Sequence, residues 1–233
     1  MQLAPLYPWL QPVLSTAFPD CLWSGDRQQR RIALSFDDGP HPEYTPALLN
    51  VLARYPVRAT FFWLGVCVER YPEVARAVSA AGHALGLHGY DHRSFWHLSE
   101  AELLTSLQRT QAAIAQAGIP NAAAIRDVRP PNGLFVPHTL TQLRQAGYRP
   151  VMWSVVPEDW LCPGVTVVQQ RVLRQVQPGA LIVLHDGHCG GADVAATTAR
   201  LLPALLARGY ELVTVATLWG DRRAPMRAGA QKI

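Results

Sequence analysis

Two adjacent carboxylates, Asp37 and Asp38, lie in the segment Ser35-Phe36-Asp37-Asp38-Gly39-Pro40, which directly follows the short apolar run of residues 32–34. Neighbouring negative charges at the end of a buried strand disfavour each other, and burial disfavours both. A cation would remove that cost, and the segment His88-Gly89-Tyr90-Asp91-His92 offers two imidazoles to bind it. One Asp and two His around a divalent ion leave positions open for water and substrate, which is typical of catalytic sites. These residues therefore predict a catalytic metal centre.

The donor set does not choose the ion. Zinc suits two histidines and one aspartate well, but cobalt, nickel or manganese could also bind there. The histidine spacing does not form the helical His-Glu-x-x-His motif, because Gly89 stands at the glutamate position and disfavours a helix. A hydrogen-bonded pair of loop histidines remains the alternative. His188 could be a spare ligand or an ordinary loop histidine.

Three further polar segments follow predicted strands. Arg129 opens a rigid Arg-Pro-Pro-Asn-Gly turn and could hold a carboxylate in a forked contact, or form a structural salt bridge. His185, at the end of an apolar strand, is a candidate general acid if a carboxylate supports it. Asp159 could be that carboxylate or a helix N-cap, and Trp160 could form the wall of a sugar-sized pocket.

Apolar strands alternate with helices along the whole chain, which predicts an α/β fold with a parallel sheet covered by helices. The predicted strands are 31–36, 57–64, 84–88, 124–129, 149–155, 180–185 and 211–215. The predicted helices are 45–54, 72–81, 99–117, 137–146, 165–176 and 192–208. Ser99 and Glu102 are spaced as a capping box at the start of the third helix. About seven β/α units of this length favour a closed or nearly closed barrel over an open sheet.

The composition fits one large folded domain. Of the 233 residues, 49% are apolar and 16% charged, below the roughly 25% charged residues of typical soluble domains. A net charge of +4 without a dense basic stripe does not indicate nucleic-acid binding. The four cysteines show no Cys-x-x-Cys spacing, so neither a zinc ribbon nor a disulfide framework is expected. Nothing in the sequence indicates an oligomeric state.

The chain has no run of 18 apolar residues that would indicate a membrane span. Prolines interrupt its first 25 residues and Arg27 is its first basic residue, so no secretory signal is expected. A cytoplasmic location is the default expectation, and the cell envelope is possible if a leader was removed.

We expect residues 1–30 to form an extension packed on the barrel, residues 31–220 the catalytic domain, and residues 221–233 a basic tail.

Taken together, the segments at Asp37-Asp38, His88–His92, Arg129–Gly133, Asp159-Trp160 and Leu184-His185-Asp186 resemble the five motifs of the NodB-type polysaccharide deacetylases, carbohydrate esterase family 4. The resemblance runs from about Arg31 to Val215, with the motifs in the family's order. It implies a distorted (β/α)7 barrel. It also implies a metal-dependent hydrolase that removes N-acetyl groups from an amino-sugar polymer or oligomer, such as chitin or peptidoglycan, with an N-acetylated saccharide as substrate.

The resemblance also implies residue roles. The metal ligands would be Asp38, His88 and His92. Asp37 would be the general base, Arg129 would orient it, and His185, tuned by Asp159, would protonate the leaving amine. The substrate-binding residues would be Asn132, which supplies a backbone N–H to the oxyanion, and Pro131, Trp160 and Leu184.

Two positions depart from the family pattern. Gly89 stands where the family has a Ser or Thr whose hydroxyl braces the loop, and Asn132 stands where it has a tyrosine. The alternatives to a polysaccharide deacetylase are a hydrolase of another small amide or cyclic imide, or a non-catalytic carbohydrate-binding relative. A serine hydrolase is disfavoured because the chain lacks a Gly-x-Ser-x-Gly elbow.

Overall fold

Seven parallel strands alternate with helices over residues 6–221, the part of the chain that the computed structural model describes. The strands are β1 (Arg31–Asp37), β2 (Thr60–Trp63), β3 (Ala84–Leu87), β4 (Asp127–Val128), β5 (Arg149–Pro150), β6 (Leu181–His185) and β7 (Glu211–Val213). The helices are α1 (Tyr7–Ala17), α2 (Tyr44–Leu52), α3 (Gly65–Arg70), α4 (Pro72–Ala80), α5 (Glu100–Gln116), α6 (Pro137–Gln145), α7 (Val165–Gln175), α8 (Gly191–Ala207) and α9 (Val215–Asp221).

The sheet runs in the order β5-β4-β3-β2-β1-β6, and β7 pairs with the first three residues of β1. The segment that follows β5 curves back to the other edge of the sheet, where Val155 forms a parallel bridge with Ile182 of β6. The sheet is therefore curled into an incomplete barrel with helices outside. This confirms the predicted α/β fold and its distorted barrel.

The side chains of β1 alternate between two environments, as strand geometry requires. Ile32, Leu34 and Phe36 belong to the large core cluster that packs beneath the helices. Ala33 belongs to a separate cluster in the barrel interior, and Ser35 and Asp37 continue the same inward face. The strand thus delivers a carboxylate to the barrel interior at its carboxyl end.

Strands β4 and β5 are shorter than the sequence predicts. After Pro150, two successive N–H groups, those of Ser154 and Val155, donate to the same carbonyl of Leu181, as in a bulge. This irregular segment frees two carbonyl groups: Met152 O accepts from Arg129, and Trp153 O accepts from the Tyr7 hydroxyl. The apolar run was interpreted as a continuous strand because its composition carries no signal for the bulge.

Helix α5 begins as expected, since Ser99 and Glu102 form both hydrogen bonds of a capping box. The sequence interpretation missed helices α1, α3 and α9. Prolines at residues 8 and 12 concealed α1, although proline is compatible with the first turn of a helix.

The segment before β1 lies against the barrel. Tyr7 of α1 packs with Val156 and Val183, and Leu22 pairs with Val151 beyond β5. The division into extension, catalytic domain and tail stays a prediction, and the predicted tail lies almost entirely outside the described residues.

Within residues 6–221, every helix is too short or too polar to cross a bilayer. The four cysteines, which fall in the described part, form no disulfide.

Candidate active site

Arg129 and Asp37 form a buried ion pair inside the barrel. Both side chains are almost fully buried, and the guanidinium Nη1 donates to Asp37 Oδ1 at 2.5 Å. The same Nη1 donates to Ser35 Oγ at 2.9 Å, and Nη2 donates to the Met152 carbonyl at 3.0 Å. Arg129 also lies 4.1 Å from the centre of the Phe62 ring. These contacts fix one oxygen of Asp37 and leave Oδ2 facing the neighbouring histidine cluster.

Asp38 turns away from its neighbour because its backbone adopts φ 75°, outside the strand conformation. Its Oδ1 atom lies 3.4 Å from Nε2 of His88 and 3.2 Å from Nε2 of His92. One donor atom from each of these three residues lies within 4.8 Å of the other two. The structure therefore brings together the three side chains that the sequence proposed as ligands.

The donors of this cluster fit a divalent cation. His88 Nδ1 lies 2.7 Å from the Arg129 carbonyl oxygen, to which it donates its proton, so Nε2 keeps a lone pair for a metal. Asp38 Oδ1 is buried and forms no hydrogen bond of acceptable geometry among the described residues. An orphaned carboxylate oxygen between two imidazole nitrogens is a position that a cation would satisfy.

The charges within the cluster shift its pKa values. Burial raises the pKa of Asp38, but the His88 and His92 imidazoles outweigh burial and hold this pKa well below its usual range. The Asp38 carboxylate raises the pKa of His92, against the smaller opposing effect of burial. Both shifts show that the site favours a negative carboxylate beside a positive group, and a metal ion can take the place of the protons.

His185 and Asp159 form a second functional pair. Both carboxylate oxygens of Asp159 accept hydrogen bonds from His185, one from Nδ1 at 2.9 Å and one from the backbone N–H at 2.7 Å. Burial lowers the pKa of His185, but Asp159, with Asp38 and Asp37 further away, raises it to about 9. The edge of Trp160 packs against the imidazole, with ring centres 5.2 Å apart. Asp159 therefore supports the histidine and does not cap a helix.

A cleft of about 330 Å³ opens beside these groups. It is lined by Asp37, Asp38, His88, His92, Asn132, Trp153, Trp160, Val183, His185 and Cys189. Trp153, Val183 and Cys189 were missed by the sequence interpretation. Val183 could have been found from strand periodicity, because it lies two residues before His185 on the same face of β6.

Leu184 does not lie where the resemblance implied. Its side chain is fully buried in the core beneath the helices, because alternate residues of β6 face opposite sides of the sheet. Its neighbour Val183 lines the cleft in its place. Pro131 is buried in a 3-10 turn and is likewise absent from the cleft lining, whereas Asn132 and Trp160 do line it.

The two departures from the family pattern have local explanations. Gly89 adopts φ 82°, a conformation that glycine reaches without steric cost. Asn132 adopts φ 59°, which asparagine tolerates better than most residues, and its Nδ2 donates to Ser94 Oγ at 3.0 Å. His188 packs edge-on against His41 and is not part of the three-residue cluster.

Asp186 is a buried carboxyl group that the sequence interpretation quoted but did not assign. Its Oδ2 accepts a hydrogen bond from Thr45 at 2.6 Å, and its backbone N–H donates to the Asp37 carbonyl at 3.0 Å. Burial is the main cause that raises the pKa of Asp186 to about 7. A Cβ atom at Gly39 would lie about 2.4 Å from this carboxyl, so only glycine fits there. Asp186 therefore packs directly behind the loop that carries Asp38.

Comparison with known proteins finds one matching family and several similar proteins. Residues 24–151 match the protein family described as polysaccharide deacetylase. A chitooligosaccharide deacetylase of Azorhizobium caulinodans is 33% identical over 197 residues, which cover 80% of this chain and 93% of that protein. A solved peptidoglycan N-acetylglucosamine deacetylase in complex with 4-naphthalen-1-yl-N-oxidanyl-benzamide has a TM-score of 0.80 at 28% identity, covering 88% of this chain and 95% of that one.

A third relative is described differently. The structure of a CE4 family pseudoenzyme from Bacillus anthracis has a TM-score of 0.78 at 26% identity, covering 87% of this chain and 69% of that one. The fold is thus shared by proteins described as deacetylases and by one described as a pseudoenzyme. Function must therefore be argued from the site residues.

Fold and site together define a parallel α/β barrel protein with an Asp-His-His cluster at the carboxyl ends of its strands. The chain belongs to the polysaccharide deacetylase family.

Proposed function

We propose that this protein is a metal-dependent deacetylase that hydrolyses the N-acetyl groups of an amino-sugar polymer or oligomer. The observation that carries the proposal is the juxtaposition, in one cleft, of the Asp38–His88–His92 cluster, the Asp37–Arg129 ion pair and the His185–Asp159 pair. The cleft thus combines a cation site with a candidate base and a candidate acid, which amide hydrolysis requires.

Asp38, His88 and His92 would hold one divalent ion, and we expect zinc, with cobalt, nickel or manganese as substitutes. When bound, the ion would polarise the acetyl carbonyl and make water more acidic. The Nδ1–H bond from His88 to the Arg129 carbonyl orients the His88 ring for this role.

Asp37 would accept the proton of the attacking water. Its Oδ1 is held by Arg129, while Oδ2 lies 3.9 Å from His88 Nε2, beside the ligand cluster. Because Arg129 fixes Oδ1, Oδ2 is held beside the cluster and is available as a base. The backbone N–H of Asn132 at the cleft wall would donate to the oxyanion that forms from the acetyl carbonyl.

His185 would donate a proton to the departing amine nitrogen. Asp159 keeps the Nδ1 proton in place and favours the protonated imidazole, which a poor leaving group requires. Trp160, Trp153 and Val183 would surround the acetyl methyl group, since they supply the apolar part of the cleft lining. A saccharide substrate is supported by the relatives, which are described as chitooligosaccharide and peptidoglycan N-acetylglucosamine deacetylases.

The test is hydrolysis of a panel of substrates with and without chelator, measured as acetate release from the N-acetyl compounds and as ring opening of the cyclic imides. The panel contains N-acetylglucosamine oligomers, peptidoglycan fragments, small N-acetyl amides and cyclic imides. We expect chelator-sensitive acetate release from at least one saccharide. Turnover confined to the small amides or imides would favour the alternative hydrolase.

A non-catalytic carbohydrate-binding role is the second candidate, and the pseudoenzyme relative makes it worth testing. Such a protein would bind a saccharide but release no acetate with any of the four metals added. Against it stands the retention, in this chain, of a base, an acid and three ligand side chains in one cleft.

A further inference from the structure

We propose that two hydroxyl groups of α5, those of Ser106 and Thr110, are positioning residues for the metal site. They hold the loop that connects the two imidazole ligands, His88 and His92. This inference rests on the proposed function only in taking those histidines as ligands. It concerns the affinity and geometry of metal binding rather than the reaction.

Both hydroxyls bind the backbone of the ligand loop directly. Ser106 Oγ accepts a hydrogen bond from the Tyr90 N–H at 2.8 Å. Thr110 Oγ1 lies 2.9 Å from the Gly89 carbonyl oxygen and 2.9 Å from that of Ser106, and it shares its proton between them. Ser106 is 5% exposed and Thr110 is fully buried, so water cannot easily replace either contact.

The first turn of α3 completes the set of contacts. The Gly65 N–H donates to the Gly89 carbonyl at 3.1 Å, and the Val66 N–H donates to the Tyr90 carbonyl at 2.9 Å. Two helices thus bind the middle of the loop, α3 through backbone N–H groups and α5 through side-chain hydroxyls. The Tyr90 N–H loses its hydrogen bond to Ser106 when that hydroxyl is removed. The Gly89 carbonyl, in contrast, still accepts a hydrogen bond from the Gly65 N–H when the Thr110 hydroxyl is removed.

The loop needs such external contacts because its own conformation is unfavourable. His92 adopts φ 64°, a left-handed conformation that costs energy for a residue with a side chain. Intrinsic backbone preferences therefore do not place His92 at the metal site. The hydrogen bonds at residues 89 and 90 fix the loop between the two ligands.

The same arrangement explains the departure at Gly89. A Cβ atom built at Gly89 would lie 3.6 Å from Ser106 Oγ and 3.1 Å from the ring of Phe95. The Ser106 hydroxyl of α5 thus lies next to the place where the side chain of a Ser or Thr at position 89 would begin. From there, a Ser or Thr hydroxyl would brace the loop. We infer that the bracing hydroxyl is supplied in this chain by the neighbouring helix.

The experiment measures Co²⁺ binding by chelator competition and by the visible absorption spectrum of the Co²⁺ protein. Ser106→Ala is compared with Thr105→Ala, which removes an exposed hydroxyl from the same helix. Thr110→Val is compared with Thr110→Ser, which keeps the hydroxyl. We expect Ser106→Ala to weaken Co²⁺ binding by about 10- to 100-fold and to alter the spectrum. Thr110→Val should weaken binding less, and the two controls should match the wild-type protein.

A folded Ser106→Ala variant with wild-type Co²⁺ affinity and spectrum would overturn the inference, even if its melting temperature fell. If Ser106→Ala does not fold, equal Co²⁺ affinity and spectra for Thr110→Val and Thr110→Ser would overturn it. The readout does not depend on turnover. A wild-type protein that binds Co²⁺ but releases no acetate would contradict the proposed function and leave this inference standing.

Discussion

At the carboxyl end of β1, two consecutive aspartates have different surroundings because the backbone changes conformation between them. Asp37 is the last residue of the strand and faces the barrel interior, where Arg129 binds it. Asp38 has left the strand, with φ 75°, and meets His88 and His92. Two like charges in sequence thus become one candidate base and one candidate ligand. The sequence predicted the pairing of both residues with later segments, but not the turn that separates them.

The Asp159 carboxylate should set the upper pH limit of activity. His185 acts as an acid only when protonated, so activity is present below its pKa and is lost as the pH rises through it. Because Asp159 raises this pKa, Asp159→Asn should lower it and shift the alkaline limb of the kcat/KM profile to lower pH. A cation bound nearby lowers the pKa in both proteins, so the predicted result is the direction of the shift. The measurement is kcat/KM against pH with metal held saturating.

Asp193→Asn is the control for this profile, since Asp193 lies in the first turn of α8, outside the cleft lining. It should leave the alkaline limb in place. An Asp159→Asn profile that coincides with the wild-type profile would show that Asp159 does not tune His185.

At the level of secondary structure, strand β6 shows how far the alternation of residues along a strand predicts which side chains line the cleft. The sequence predicted β6 correctly to within one residue, and it placed His185 at the strand end. The resemblance then assigned Leu184 to the cleft, although residues 183 and 185 share a face. Strand β5 was predicted too long, because an apolar run does not reveal where a bulge takes the chain out of the ladder. Contacts such as the hydrogen bond between Ser106 and the ligand loop join residues that are well separated in the chain. No pattern of neighbouring residues in the sequence predicts them.

A pair of substitutions in β6 tests the corrected assignment. Val183→Ala should enlarge the cleft and raise the rate on N-propionyl relative to N-acetyl saccharides, by up to about tenfold for one added methylene. Leu184→Ala should leave this preference unchanged, because its side chain lies in the core on the other face. It should instead lower the free energy of unfolding by about 2–5 kcal/mol. The measurements are kcat/KM for the two acyl groups and urea unfolding.

If Leu184→Ala changes the acyl preference and Val183→Ala does not, the orientation of β6 described above is wrong. Val168→Ala in α7 serves as a control for core truncation, since this residue is buried in the core and does not line the cleft. It should cost stability without changing the acyl preference.

Over the whole molecule, the site joins segments that follow five different strands. Asp37 and Asp38 come from the end of β1, the histidine ligands follow β3, and Arg129 follows β4. The sequence could predict that these segments meet, because the carboxyl ends of parallel strands share one face of a barrel. It could not predict distances or the partners of each atom, since these depend on how the incomplete barrel curls.

Because the proposed ligands come from two separate loops, a bound ion should stabilise the whole fold. At a free metal concentration of 100 times Kd, the gain in the free energy of unfolding is about 2.7 kcal/mol. Zinc should therefore raise the melting temperature of the wild-type protein, and chelator should reverse the change. Asp38→Ala should abolish the response, because it removes the carboxylate shared by both imidazoles. Differential scanning calorimetry with matched zinc and chelator samples provides the measurement.

Asp20→Ala is the matched control, since its carboxylate pairs with Arg144 on the surface and lies outside the ligand cluster. It should keep the zinc response. An Asp38→Ala protein that zinc still stabilises as much as the wild type would place the ion elsewhere.

We assign Asp37 as the base and Asp38 as a metal ligand, and a pair of asparagine variants separates these two roles. The rate of acetate release and the bound metal are determined together for Asp37→Asn and Asp38→Asn. We predict that Asp37→Asn keeps near wild-type metal content and loses at least about 100-fold in turnover. We also predict that Asp38→Asn loses the metal itself. An Asp37→Asn protein that releases acetate at the wild-type rate would show that Asp37 is not the base.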